Sequence, residues 1–436
     1  MGGEPGTGLT RGLAAGTPVG RPGGLEHKPA TPGDALRIGR HSGRLPPHLL
    51  HYSEDKKPVV VWNLTRSCNL HCAHCYTDSH DQKYEGELTH DEALAVIDDL
   101  AAFGVPVILF SGGEPLLRFD IFELIAYARE KGIRGVLSTN GTLITRAVAR
   151  RLKEFGLSYV GISIDGPEHV HDKFRGKKGA FRESVQGIRN CLAEEIRVGI
   201  RMTLTRYNHE HIDEIFRLIE EENIPRACFY HLAYAGRGER LQQKHSADLA
   251  PAETRAAVDN IFGHVEDFHR RGITKDILTV DNHTDGVYLY LKVLQEQPER
   301  AEEVYQMLKW NGGNQSGVAV ADIDNLGNVH ADQFWSSYSF GNVRERPFGQ
   351  IWTDVSDSVM AVLKDRRGHI KGKCSRCPYF EICNGNLRVR AWSHYGDMWA
   401  EDPACYLSHE ELGIPRDETT VSPEPLELIP IETTWR

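Results

Sequence analysis

Between residues 58 and 231 the chain changes hydrophobic period about six times, and this alternation constrains the fold more than any other feature. The run at 58–63 is short, apolar and rich in valine, as in a buried strand. Thr89 with Glu92 forms a capping box, and Ala93, Val96, Ile97 and Leu100 supply the apolar stripe of the helix that follows. Further strands are expected at 107–110, 135–138, 159–164, 198–204 and 228–231, with helices around 119–131, 144–155 and 209–222. Strand followed by helix, repeated, implies parallel strands joined by right-handed crossovers, an α/β fold. The polar and glycine-rich interruptions follow the strands, which is where parallel barrels and open parallel sheets alike build their sites, so periodicity does not separate the two.

Nine cysteines are present, and seven fall in two short groups. That clustering in a long chain suggests metal and a reducing compartment, the cytoplasm, rather than a disulfide framework. Cys68, Cys72 and Cys75 follow the first strand. Three thiolates this close can hold three irons of a cubane cluster, while a zinc knuckle completed by His71 or His74 is the alternative. The next strand ends in Ser111, Gly112, Gly113, Glu114 and Pro115, the third in Ser138, Thr139 and Asn140, and the fourth in Ser163 and Asp165. Taken singly, several of these are ordinary turn residues. Cys374, Cys377, Cys383 and Cys405 form the second group, which could hold a cubane or a tetrahedral zinc. Cys191 and Cys228, in a helix and a strand, are expected to be buried packing.

The three-then-two spacing of Cys68, Cys72 and Cys75, with Gly112-Gly-Glu-Pro115 one strand later, resembles the radical S-adenosylmethionine (SAM) signature. The resemblance implies a partial (β/α)6, TIM-like barrel whose three cysteines bind a [4Fe-4S] cluster with one open iron. That iron chelates SAM, and one electron then breaks a sulfonium carbon–sulfur bond to give a 5′-deoxyadenosyl radical. It also implies that Gly112 and Gly113 let the backbone approach the ligand and that Glu114 faces the SAM amino group. His74, Ser138, Asn140, Ser163 and Asp165 become further SAM contacts, and Arg175 pairs with its carboxylate. The C-terminal cysteines resemble the SPASM or "twitch" auxiliary domain, a small α+β unit. Because His330-Ala-Asp332 and Leu387 stand where fuller versions place cysteines, a single second [4Fe-4S] cluster is implied, held by Cys374, Cys377, Cys383 and Cys405.

A longer resemblance joins the chain to the radical SAM enzymes of modified tetrapyrrole synthesis. It is carried by Asn386-Leu-Arg-Val-Arg-Ala391, by 402–407, by 159–165, by His171-Asp-Lys-Phe-Arg175 and by 234–238. The segments 34–43, 55–62, 280–283 and 332–335 look most like the members that remove acetate side chains from 12,18-didecarboxysiroheme to give iron-coproporphyrin III. Action on other side chains of that compound in haem d1 synthesis, a peptide-modifying maturase, and a non-catalytic iron–sulfur or haem-binding scaffold are the alternatives. A polycarboxylated iron macrocycle needs cations, an apolar wall and an axial ligand. Arg237, Arg388 and Arg390 are candidates for the first role, and His231, His283 and His330 for the last. The family also implies an electron donor such as ferredoxin or flavodoxin.

The domain organisation follows. Residues 1–33, rich in glycine and proline, read as a flexible leader, and 34–57 as an N-terminal extension. The barrel spans 58–240, a charged helical connection 241–315, the auxiliary domain 316–410 with a hairpin turning near 325–327, and a loose tail 411–436. Basic residues number 51 against 61 acidic, a net charge of −10, which disfavours a nucleic-acid partner. No stretch approaches the roughly 20 apolar residues of a membrane span, so no membrane partner is expected.

Overall fold

The computed structural model describes residues 57–415. The leader, nearly all of the N-terminal extension with its 34–43 segment, and the tail from 416 onward lie outside the described residues.

Nine strands form one sheet in the order β7-β6-β5-β4-β3-β2-β1-β8-β9. They are β1 (Val59–Asn63), β2 (Val107–Ser111), β3 (Arg134–Thr139), β4 (Val160–Ser163), β5 (Val198–Leu204), β6 (Arg226–His231), β7 (Asp276–Val280), β8 (Val320–Ile323) and β9 (Val329–His330). Every pairing is parallel except β8 with β9. From β1 to β7 the order never reverses. A doubly wound sheet reverses at a switch point, so this is the singly wound, barrel-type sheet, and the ambiguity left by periodicity is removed. Single winding with right-handed crossovers puts the helices on one face. Val60, Trp62, Ile108, Phe110, Leu137, Ile162, Ile200, Met202 and Phe229 accordingly pack into the main core with the helices.

The expected elements form for the expected reasons. Helix His90–Phe103 starts at Thr89, whose side chain accepts from the Glu92 N–H while Glu92 reaches back, and it buries Ala93, Val96, Ile97 and Leu100. Helices Ile121–Glu130, Arg146–Glu154 and Ile212–Glu221 fall within the expected windows.

Two features differ from expectation. The charged connection is not wholly helical, because β7 pairs with β6 inside it. The five-residue run Asp276-Ile-Leu-Thr-Val280 is β-prone but short, and the charged segments on either side of it masked this strand at the sheet's end. The hairpin of β8 and β9 extends the barrel sheet, with β8 parallel to β1 in the register Val59↔Val320 to Trp62↔Ile323. No helix among the described residues is long and apolar enough to cross a membrane.

Candidate active site at the rim of the sheet

The loop after β1 carries Cys68 and Cys72, both buried, and Cys75, half-buried; all three are free thiols. Neighbouring segments hold this loop through its backbone. The Ala73 N–H donates to Phe174 O at 2.9 Å and the His71 N–H to Arg175 O at 3.2 Å. Gly113 N–H donates to Thr65 O at 2.7 Å and Glu114 N–H to Ser67 O at 2.8 Å. A Cβ at Gly112 or Gly113 would overlap those same carbonyls. These glycines thus let the second loop clasp the cysteine loop, a role the sequence reading had given to ligand approach alone. Gly236, with φ +57°, does the same from beyond β6, where a Cβ would sit 2.6 Å from Cys75 O.

Glu114 is fully buried. It accepts from Leu116 N–H at 3.1 Å, Thr139 Oγ1 at 2.8 Å and Asn140 N–H at 2.9 Å. Burial pushes its carboxyl up to about 7, against the pull of those donors. Asn140 donates from its side chain to Asn69 Oδ1 at 2.9 Å, fastening the third strand's end to the cysteine loop.

Asp165, also fully buried, pairs with Arg175 Nη2 at 2.6 Å and accepts from Thr203 N–H at 3.2 Å. Arg175 Nη1 donates to Cys72 Sγ at 3.5 Å. His74 packs on Phe174 with ring centroids 4.9 Å apart, and its Nε2 lies 4.0 Å from Asp165. Burial holds the His74 imidazole down near pKa 4 and therefore neutral. His74 Nδ1, Arg175 Nε and His171 Nε2 are buried without a hydrogen-bond partner, a concentration of unused polar atoms around Asp165. Ser138 accepts from Arg201 Nη1 at 2.8 Å, and Ser163 ends β4 half-buried.

Burial pushes the Cys68 thiol up, and the nearby Cys72, Glu114 and Cys75 charges add to this. Without a bound group these side chains stay neutral thiols; ionised, they would need a cationic partner such as iron. Among the described residues no three His, Cys, Asp or Glu side chains converge as ligands of a single ion do. A cubane asks less convergence, since each thiolate meets its own iron. The residues at the rim therefore fit an iron–sulfur cluster beside a small zwitterionic ligand.

In the second cysteine group Cys374 and Cys383 lie on two single-turn helices, Lys373–Arg376 and Phe380–Cys383, Cys377 follows the first as its C-cap, and Cys405 lies in an irregular segment. Burial raises Cys383 well above the usual thiol range, and Cys374, Cys405 and Cys377 each add to it, so the four thiols share one neighbourhood. Cys191 and Cys228 are buried packing, as expected.

The proposed substrate cations are engaged elsewhere. Arg390 binds Asp402 in a pair with both side chains fully buried, and also donates to Leu232 O and Asp281 O. Arg388 donates to the carbonyls of Met398, Ala400 and Gly385. Arg237 donates to Cys72 O, Asp78 and Ser79 O. His231 meets Asp285 at 2.9 Å, and His330 meets Tyr338 O and Asp324. His283 caps a helix, its N–H donating to Asn386. The sequence reading passed over Arg201, in the middle of β5. The available signal was a charge inside a parallel strand, where both faces are normally apolar.

A singly wound parallel sheet with a three-cysteine loop after its first strand and a buried glutamate after its second defines a radical SAM enzyme. Residues 62–219 match the radical SAM superfamily model, and the chain belongs to that superfamily, whose members use a [4Fe-4S] cluster and SAM. Within it, the chain is 57% identical over 385 residues to the Fe-coproporphyrin III synthase of Methanosarcina barkeri, covering 88% of this chain and 96% of that one. It is 43% identical over 366 residues to the pre-heme d1 synthase of Dinoroseobacter shibae, covering 83% and 89%. Among solved structures, native anSMEcpe with bound AdoMet superposes with a TM-score of 0.63 at 19% identity, covering 81% of this chain and 96% of that chain, which establishes a shared fold.

Proposed function

We propose that this enzyme removes the acetate side chains of 12,18-didecarboxysiroheme to give iron-coproporphyrin III. The observation that carries this reading is the 57% identity, along almost the whole relative, to an Fe-coproporphyrin III synthase, against 43% for the pre-heme d1 synthase. When bound, the cluster and SAM supply a 5′-deoxyadenosyl radical able to abstract hydrogen from unactivated carbon. The chain's own residues position and enclose that chemistry. Cys68, Cys72 and Cys75 hold the cluster. Glu114 offers its carboxylate to the SAM ammonium, and Gly112 and Gly113 lock the two loops together. His74, Ser138, Asn140, Ser163, Asp165 and Arg175 shape the surrounding rim. Cys374, Cys377, Cys383 and Cys405 would hold a second [4Fe-4S] cluster, which their shared neighbourhood, with Cys374 buried and the other three half-buried, supports. A low-potential donor of the ferredoxin or flavodoxin kind supplies electrons, in the reducing cytoplasm that free clustered thiols suit.

Anaerobic incubation with 12,18-didecarboxysiroheme, SAM and dithionite, read by mass spectrometry, tests the reading. The expected product is iron-coproporphyrin III with two acetate-derived groups lost. Altered propionates with the acetates intact would move the enzyme to the haem d1 branch, and no change in the macrocycle would overturn the tetrapyrrole reading.

A further inference from the structure

Strand residues that face away from the helices include Leu109, Ser138, Ser163, Arg201, Thr203, Tyr230 and Val280, and all of them are half-buried. Their counterparts on the helix side, such as Phe110, Ile162, Ile200 and Phe229, are almost wholly buried. The inner face therefore keeps partial solvent access at these positions, although Val59, Val107, Val136 and Cys228 on the same face are buried, and Arg201 stands among the partly accessible residues.

Arg201 is unlike the other arginines weighed as substrate contacts. It forms no ion pair among the described residues, whereas Arg237 and Arg390 are paired with carboxylates and Arg388 is spent on backbone carbonyls. Its side chain is held in place. From β5 it crosses β4 at Gly161, where a Cβ would sit 2.8 Å from Arg201 Cδ, so only glycine leaves the path free. It reaches β3, where Nη1 donates to Ser138 Oγ at 2.8 Å. The guanidinium lies over the Tyr230 ring, 4.7 Å from its centroid. Arg201 Nε and Nη2 donate to no protein acceptor among the described residues, and neither atom is sealed from solvent. A planar cation fixed on one side by a hydroxyl and beneath by an aromatic ring, with two N–H groups unspent and partly accessible, matches a carboxylate.

We propose that Arg201 is the carboxylate-binding residue of the inner face, taking an acidic side chain of the tetrapyrrole substrate and so setting which edge of the macrocycle faces the Cys68–Cys75 loop. The proposal rests on the tetrapyrrole reading. SAM also carries a carboxylate, so the test separates the two sources. The holoenzyme, Arg201→Gln and Arg201→Lys are titrated anaerobically with 12,18-didecarboxysiroheme, with its methyl-esterified form, and with SAM. Iron content and circular dichroism of each variant report folding. For Arg201→Gln, affinity for the free-acid macrocycle falls about 10- to 100-fold, as expected for loss of a hydrogen bond to a charged group. Arg201→Lys recovers part of that loss, and SAM affinity stays within about twofold of the parent's, since the guanidinium carries none of it. Esterification weakens binding to the parent but not further to Arg201→Gln. Undiminished macrocycle binding by Arg201→Gln overturns the assignment, and if SAM affinity falls instead, the residue holds the SAM carboxylate. Failure of the parent itself to bind the free-acid macrocycle overturns the tetrapyrrole reading and this assignment with it.

Discussion

Burial, opposed by three donors and with no cationic partner among the described residues, holds the Glu114 carboxyl near pKa 7 rather than the ordinary 4.5. The sign follows from that shift. As pH rises from about 4.5 to 7 the ionised form becomes costly in the folded protein, and ligand-free stability declines across that window. For an incoming ammonium the dependence reverses, because only the ionised carboxylate attracts it. SAM affinity, measured by equilibrium dialysis, is expected to fall as pH drops from about 8 to 6 and to be flat over that range in Glu114→Gln. The same variant loses about 2–5 kcal/mol of SAM binding at pH 8 while keeping its iron. An unchanged affinity would make Glu114 a loop brace only. Its neighbours show what single residues reveal. Cys68, Cys72 and Cys75 were legible because their spacing is local. Arg388 and Arg390 were misread because a guanidinium looks the same in a sequence whether it is solvated or fully buried, as these two are.

At the level of elements, the capped helix His90–Phe103 and the alternating strands were readable because a helix or a strand declares its buried face through its own period. β7 was not, since its five residues are too few to show a period between charged flanking segments. The helices around Cys374 and Cys383 are only four residues each and have too little period to read. Such short turns gain little from their own hydrogen bonds, so the proposed second cluster would contribute to their order. Loss of one ligand is therefore expected to be felt locally. Reconstituted protein should carry about eight irons per chain, and Cys377→Ala about four. That variant should still cleave SAM at the first site but release 5′-deoxyadenosine uncoupled from product. Stoichiometric zinc at this site in protein purified anaerobically from iron-rich cells would refute a second cluster.

For the whole molecule, the C-terminal third is fastened at both ends of the barrel sheet. β8 pairs with β1 at one end. At the other, Asn386 Nδ2 donates to Asn282 Oδ1 at 2.6 Å, Arg390 reaches Asp281 O, and Tyr406 donates to Asp285 at 3.0 Å. A segment so joined is expected to melt with the barrel in one transition. Arg390 and Asp402 are both fully buried, so Arg390→Met strands a carboxylate and should destabilise the protein by about 3–5 kcal/mol, read as a lower denaturation midpoint. A separate early transition for the C-terminal third would contradict this coupling. The sequence alone determined the parallel α/β class, the cysteine loop and the superfamily, because strand period, helix caps and close ligand spacing are properties of neighbouring residues. Only the tertiary structure decided that the sheet is singly wound, that the hairpin extends it, that Gly112, Gly113 and Gly236 clasp the cysteine loop, and that Arg201, unlike Arg388 and Arg390, keeps N–H groups unspent and is only half-buried. Those outcomes depend on which distant segments meet, and one chain's sequence does not record the partner that leaves a charge paired or free.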